Sequence, residues 1–273
     1  MTVQTPTHDV TFAPDHVRKQ FVSWDRGEPD REWACLTVLA EHAPGLAPRP
    51  LRRGWDGGRP FVVMQRLPGH PLGGAPLSGV QMAGLGRALG RLFAVPATAV
   101  GAAGLGERIL GPATMAKNVS EWLAEPGDLR ACLDQAHVSF AIDAALSWLA
   151  RPDAVPQPRL TALGMADLNP ANLMWDGTTC RLLDFEDGGL SDPAYEMADH
   201  IEHIAGRLSG VIDGEALLAA VGLPQEERER MRAYRPLFAA FWLAMLLPEN
   251  SGSHRNPAGA TEMQATHLLS LLP

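Results

Sequence analysis

The segment Leu67-Pro68-Gly69-His70-Pro71-Leu72-Gly73-Gly74 is the strongest constraint on how this chain folds. Five of its eight residues are proline or glycine, so neither a helix nor a regular strand runs through it. Ahead of it, the pattern predicts strands at 8–13 and 16–23 around an Ala13-Pro14-Asp15 turn. Two more are predicted at 50–55 and 60–65 around Asp56-Gly57-Gly58. Between the two pairs, Trp33, Leu36, Leu39 and Ala40 recur at helical spacing over 29–42, and Pro44-Gly45 stops that helix. Beyond the segment the chain reads as helices over 78–94, 114–124, 128–150, 193–207, 214–221, 224–247 and 260–271, with short strands only in 159–185. Asp192 and Pro193 provide an N-cap and a first helical position for one of them. The expected fold class is α+β in two lobes. Residues 1–67, including the connection, form a small β-rich lobe with one helix, and residues 68–273 form a large, mostly helical lobe.

A chain of 273 residues with 46% apolar content is long enough to bury a substantial core. The net charge of -8 argues against nucleic acid as a partner, since there is no positive excess to neutralise phosphates. No apolar run approaches the ~18 residues a membrane span needs, and the first residues lack a basic-then-apolar leader pattern. Cys35, Cys132 and Cys180 are scattered and odd in number, which reads as reduced, buried thiols. The expectation is a cytoplasmic protein with no membrane partner.

The chemistry concentrates between Ala166 and Asp192. Asp167 lies five residues before Asn172, and a second acid, Asp184, ends the strand of Arg181, Leu182 and Leu183. Transfer of a phosphoryl group requires a base to orient a hydroxyl and hard oxygen ligands for magnesium. Asp167 fits the first role, and Asn172 with Asp184 the second. Any one of these residues alone is a turn or strand-end residue; the three together at this spacing carry the reading.

Lys19 and Lys117 are the chain's only lysines. Side chains alternate along a strand, so Lys19 shares the apolar face of Val17 and Phe21 and directs its ammonium toward a cleft. A buried ammonium requires a partner. Glu32, four residues before Leu36 and seven before Leu39, lies on the inward face of the first helix and supplies one. Arg31 and Glu28 read as more exposed. The acids Glu196, Asp199 and Glu202 read as a solvated helix face, with contact to a cationic substrate as the other option. His200 and His203 do not have the spacing of a zinc site, and Trp122, Trp148 and Trp242 read as core.

These residues are similar to the aminoglycoside phosphotransferase and choline kinase superfamily, the small-molecule relatives of protein kinases. The resemblance rests on Asp167-Leu168-Asn169-Pro170-Ala171-Asn172, on Leu183-Asp184-Phe185-Glu186, on Ser191-Asp192-Pro193-Ala194-Tyr195-Glu196 and on Arg31-Glu32-Trp33. It implies a catalytic base at Asp167, magnesium at Asn172 and Asp184, and a Lys19–Glu32 pair beside the phosphates of ATP or GTP. The Gln65-Arg66-Leu67 connection would then meet the nucleotide base, with Gln65 and Leu67 as contacts. The acceptor implied is a hydroxylated small molecule such as an antibiotic, choline or a sugar, a cationic one being compatible with the acidic chain. Family membership does not choose among these.

Two departures stand out. Where the family usually has His-Gly-Asp, this chain has Met165-Ala166-Asp167, and no glycine lies between Met1 and Lys19 to form a phosphate-covering loop. They leave a second reading open, a kinase-like fold that binds a ligand or partner without catalysis. The polar stretch 247–260 reads as a loop lining the acceptor site.

Overall fold

The computed structural model describes residues 8–250 and 256–273. It begins with β1 (His8–Phe12) and β2 (His16–Phe21), joined by the expected turn, in which the Ala13 N–H donates to the His16 carbonyl at 2.9 Å. Helix α1 (Glu28–His42) follows, then β3 (Pro50–Asp56) and β4 (Arg59–Gln65). The four strands form one antiparallel sheet in the order β1-β2-β4-β3. Lys19 pairs with Val10 on one side and Val62 on the other, in a central strand. Phe21, Leu36, Leu39 and Val62 are buried between this sheet and α1, which fixes the helix across the sheet.

The Pro/Gly-rich segment ends this sheet's contribution. Gly69 has φ +99°, and a Cβ there would lie 2.2 Å from the Trp175 carbonyl oxygen, so only glycine lets the chain pass at that point. The chain then adds β5 (His70–Pro71) to a small sheet with β7 (Leu173–Trp175) and β8 (Cys180–Leu182). A second small pair is made by β6 (Ala162–Gly164) and β9 (Gly189–Ser191).

The remainder is helical: α2 (Gly79–Phe93), α3 (Ala97–Ala102), α4 (Pro112–Ala124), α5 (Gln135–Leu149), α6 (Pro193–Glu202), α7 (Ile204–Arg207), α8 (Gly214–Val221), α9 (Gln225–Leu246) and α10 (Ala260–Leu271). Ser78 and Gln81 form a reciprocal capping box at the start of α2. The rings of Tyr195, Tyr234 and Phe238 meet at 5.1 and 4.6 Å in the core between α6 and α9. No helix among the described residues is long and apolar enough to cross a membrane.

Two expected helices are interrupted. The stretch 128–150 is a 3-10 turn (Leu129–Ala131) followed by α5, because Asp128 and Asp134 each cap a separate start. The stretch 193–207 breaks at His203, whose ψ of 119° lies outside the helical range. Helix α3 and the strand pairings of β5 and β9 were not anticipated.

Candidate functional site

Lys19 extends from β2 into the space between the first sheet and the β7–β8 region. Its Nζ lies 3.3 Å from Glu32 Oε2, 2.5 Å from Asp184 Oδ1 and 2.8 Å from Glu186 Oε2. Glu32, facing inward from α1, also accepts the Phe185 backbone N–H at 3.0 Å, which ties α1 to the Asp184 turn. Burial works against the Lys19 charge, but the three carboxylates outweigh it and hold the pKa above the ordinary lysine value. Burial and the neighbouring Asp184 and Glu186 charges push Glu32 upward despite the ammonium. Glu186 goes the other way: burial raises it, but bonds to His8 and Lys19 bring it down to about 2. Three carboxylates thus converge on one ammonium. Ligand atoms of His8, Asp184 and Glu186 all lie within 4.8 Å of one another. This surplus of negative charge and hard oxygen suits a divalent cation.

A cleft of about 480 Å³ opens beside this cluster. Lys19, Glu32, Gln65, Leu67, Asn172 and Asp184 all line it, so the six expected cofactor and metal residues share one cavity. Val17, Met64 and Met174 give it apolar walls.

Asp167 and Asn172 are placed by a tight turn. The Asn169 side chain caps the 3-10 turn Pro170–Asn172, and Asp167 Oδ1 accepts the Asn169 N–H at 3.0 Å. Asn172 Nδ2 is 3.4 Å from both the Asp167 carbonyl and its Oδ2, which leaves the Asn172 amide oxygen as the atom available to a cation. Burial would raise the Asp167 pKa, but the hydrogen bond and charge of His203, with the Asn169 N–H, hold it below the usual carboxylate value. Asp167 is therefore ionised at neutral pH.

Asp167 also borders a second cavity of about 550 Å³, which holds Asp187, Asp199, His203, Phe241, Trp242 and Asn256. Asn256 belongs to the 247–260 stretch expected near an acceptor; residues 251–255 of that stretch lie outside the described residues.

Several sequence expectations are corrected here. Glu196, Asp199 and Glu202 are buried, at 0, 4 and 0% exposure, instead of forming a solvated face. Arg108, itself buried, donates to Glu196 Oε1 and pairs with Asp199 Oδ2, both at 2.8 Å. Glu202 is held by Arg235 at 2.7 Å and His267 at 2.6 Å. Glu28 is also buried, where it accepts the Arg26 N–H and bonds its guanidinium. Trp148 is in the core as expected, but Trp122 is 36% exposed and Trp242 faces the cavity beside Asp167. Cys35 and Cys180 are buried, whereas Cys132 is only partly so.

Sequence reasoning did not identify His203 beside Asp167, or His8 and Glu186 beside Lys19. Glu186 carried a signal, since it follows Asp184 by two residues. His203 carried none, because its role depends on the helix break.

Solved structures share this chain's fold over almost its whole length. APH(2")-IIia, in its GDP and kanamycin complex, superposes with a TM-score of 0.63 at 17% identity, over 99% of this chain and 93% of that one. A choline/ethanolamine kinase family protein from Mesorhizobium loti gives 0.64 at 18%, over 98% and 86%. The choline kinase LicA from Streptococcus pneumoniae gives 0.59 at 13%, over 100% and 91%. At these identities the likeness establishes a common, protein-kinase-like fold. No curated protein sequence matches the chain. The model of the phosphotransferase enzyme family matches residues 16–234, and the chain belongs to that family.

Proposed function

We propose that the protein is a magnesium-dependent phosphotransferase that moves the γ-phosphoryl of ATP or GTP to a hydroxyl of a small molecule. The observation that carries this reading is the meeting of two cavities at one turn: the Lys19-containing cleft reaches Asn172, and the second cavity begins at Asp167, which touches Asn172. In this reading residues 1–67 serve as the nucleotide lobe, and the Gln65–Leu67 connection meets the base. Lys19, held by Glu32, positions the phosphates. Asn172 and Asp184 would hold magnesium, with Glu186 close by; when bound, the ion neutralises phosphate charge and orients the transferring group.

The acceptor hydroxyl, seated in the second cavity, gives its proton to Asp167. Its oxygen bonds to the γ-phosphorus as the bond from that phosphorus to the bridging oxygen breaks, and the nucleoside diphosphate leaves. The neighbours bind kanamycin or belong to choline kinases, so amine-bearing alcohols are the first acceptors to screen.

The test is thermal unfolding with and without magnesium and millimolar ATP or GTP, on the wild type and on Asp184→Asn. A ligand bound only by the folded state raises the midpoint. The expected result is a magnesium-dependent rise that the variant loses. No rise with either nucleotide would overturn the reading in favour of a kinase-like binding module.

A further inference from the structure

The two oxygens of the Asp167 carboxylate are not equivalent. Oδ1 faces His203 Nε2 at 2.9 Å and accepts the Asn169 N–H at 3.0 Å. Among the contacts of the described residues, Oδ2 has the 3.4 Å one with Asn172 Nδ2. An ionised carboxylate only accepts hydrogen bonds, so His203 must carry its hydrogen on Nε2.

The backbone is shaped to deliver this ring. His203 ends α6 and precedes α7, and it alone interrupts what the sequence presents as one helix. Its ψ of 119° departs from helical geometry although neither proline nor glycine is present at the break. The side chain is 8% exposed, and its ring packs edge-on against Trp242 of α9, with centroids 5.0 Å apart at 75°. The contact with Trp242 blocks rotation on one side, while the Asp167 bond fixes the other. Nδ1 has no hydrogen-bond partner among the described residues, so the bond to Asp167 is the imidazole's polar tether.

We infer that His203 is a positioning residue for the transfer proposed above: its Nε2–H pins Oδ1 of Asp167 and leaves Oδ2 as the oxygen that receives the acceptor's proton. This rests on the phosphotransferase reading for its catalytic consequence, but the hydrogen bond itself can be tested independently. Without the imidazole, the Asp167 side chain retains the Asn169 N–H as its one short bond among the described residues and rotates out of line with the acceptor. Misplacement of about an ångström in such a group lowers turnover by about a hundredfold.

The experiment has two parts. The first compares magnesium-ATP hydrolysis, with water as the acceptor, in wild type, His203→Leu and His203→Gln; the glutamine side-chain amide replaces the Nε2–H donor. The expected result is a fall in kcat of about a hundredfold for His203→Leu, an unchanged KM for ATP, and recovery of most of the loss in His203→Gln. Equal kcat in wild type and His203→Leu, or a loss in KM alone, would overturn the assignment. The second part reads the imidazole nitrogens of His203 by long-range ¹H–¹⁵N correlation in wild type and Asp167→Asn. A protonated Nε2 whose resonance moves in Asp167→Asn supports the assignment; an Nε2 without hydrogen overturns it. If the wild type hydrolyses no ATP, the phosphotransferase reading is in question, and the nitrogen spectrum still decides the hydrogen bond.

Discussion

The Glu196 carboxylate accepts the backbone N–H of Met165 at 3.0 Å, joining α6 to the turn that carries Asp167. The same oxygen, Oε2, takes the Ala166 N–H at 3.2 Å, while Oε1 takes Ser191 Oγ at 2.6 Å and Arg108 at 2.8 Å. Gly164 makes room for this: a Cβ there would fall 2.3 Å from Glu196 Oε1. Burial alone would raise the Glu196 pKa, but Arg108, His200 and Ser191 bring it down to about 2. Glu196→Gln removes the charge and leaves buried Arg108 with Asp199 as its one carboxylate partner among the described residues. Breaking one side of a buried pair costs about 3–5 kcal/mol, less where another partner remains, so a loss of about 3 kcal/mol is expected. Urea unfolding of the two proteins measures it; a difference under about 0.5 kcal/mol would show that the Arg108–Glu196 pair does not hold the turn.

Ala166 adopts φ +72°, a left-handed conformation that costs a non-glycine residue about 1–2 kcal/mol. Glycine removes that cost but adds freedom to the unfolded chain, worth about 0.4–1 kcal/mol in the opposite direction. The expected net effect of Ala166→Gly is a stabilisation of about 0.5–1 kcal/mol, read as a rise in Tm of about 1–3 °C. A lower Tm would mean that the alanine methyl makes contacts which outweigh the backbone strain.

Asp167→Asn keeps the size of the side chain and removes the carboxylate. A positioned general base contributes about 10²–10⁴-fold, so ATP turnover should fall within that range while the unfolding midpoint stays within a few degrees. The asparagine still presents an oxygen to His203 and the Asn169 N–H, so the turn should survive. Full turnover in Asp167→Asn would remove this residue from the chemistry.

The parts of this molecule that were legible in the sequence are those set by neighbours in the chain. Helix α8 matches its expected bounds because Asp213 caps one end and Gly222, at φ +71°, terminates the other. The Lys19–Glu32 pair followed from strand alternation on one element and helical spacing on the next. Residues whose partners are distant in sequence were misread. Glu196, Asp199 and Glu202 have the spacing of an exposed acidic face; Arg108, 88 residues before Glu196, meets the first two, and Arg235 and His267 meet Glu202, all far away in the chain. The helix break at His203 has no local marker either, and the partners of its ring, Asp167 and Trp242, lie on other parts of the chain.

His200 provides a test of that inward face through pH. It is 1% exposed, and neither ring nitrogen has a hydrogen-bond partner among the described residues. Burial lowers its pKa to about 4, against the partial support of Glu196 at 3.8 Å. The unfolded chain binds this proton near pH 6.5, so between about 6.5 and 4 the unfolded state holds more protons than the folded one. Stability from this group is therefore present above pH 6.5 and is lost as pH falls toward 4. Asp199 acts in the opposite sense: burial raises it to about 6, so the folded state holds a proton the unfolded one has released, and acidification from about 6 to 4 stabilises. The two effects partly cancel in the wild type. In His200→Leu the Asp199 contribution remains, and the variant should gain on the wild type by about 1.4 kcal/mol for each pH unit below 6.5, reaching about 3 kcal/mol at pH 4. Unfolding free energies of both proteins at several pH values between 7 and 4 test this. A constant difference would show that His200 takes up its proton in the folded protein as readily as in the unfolded chain.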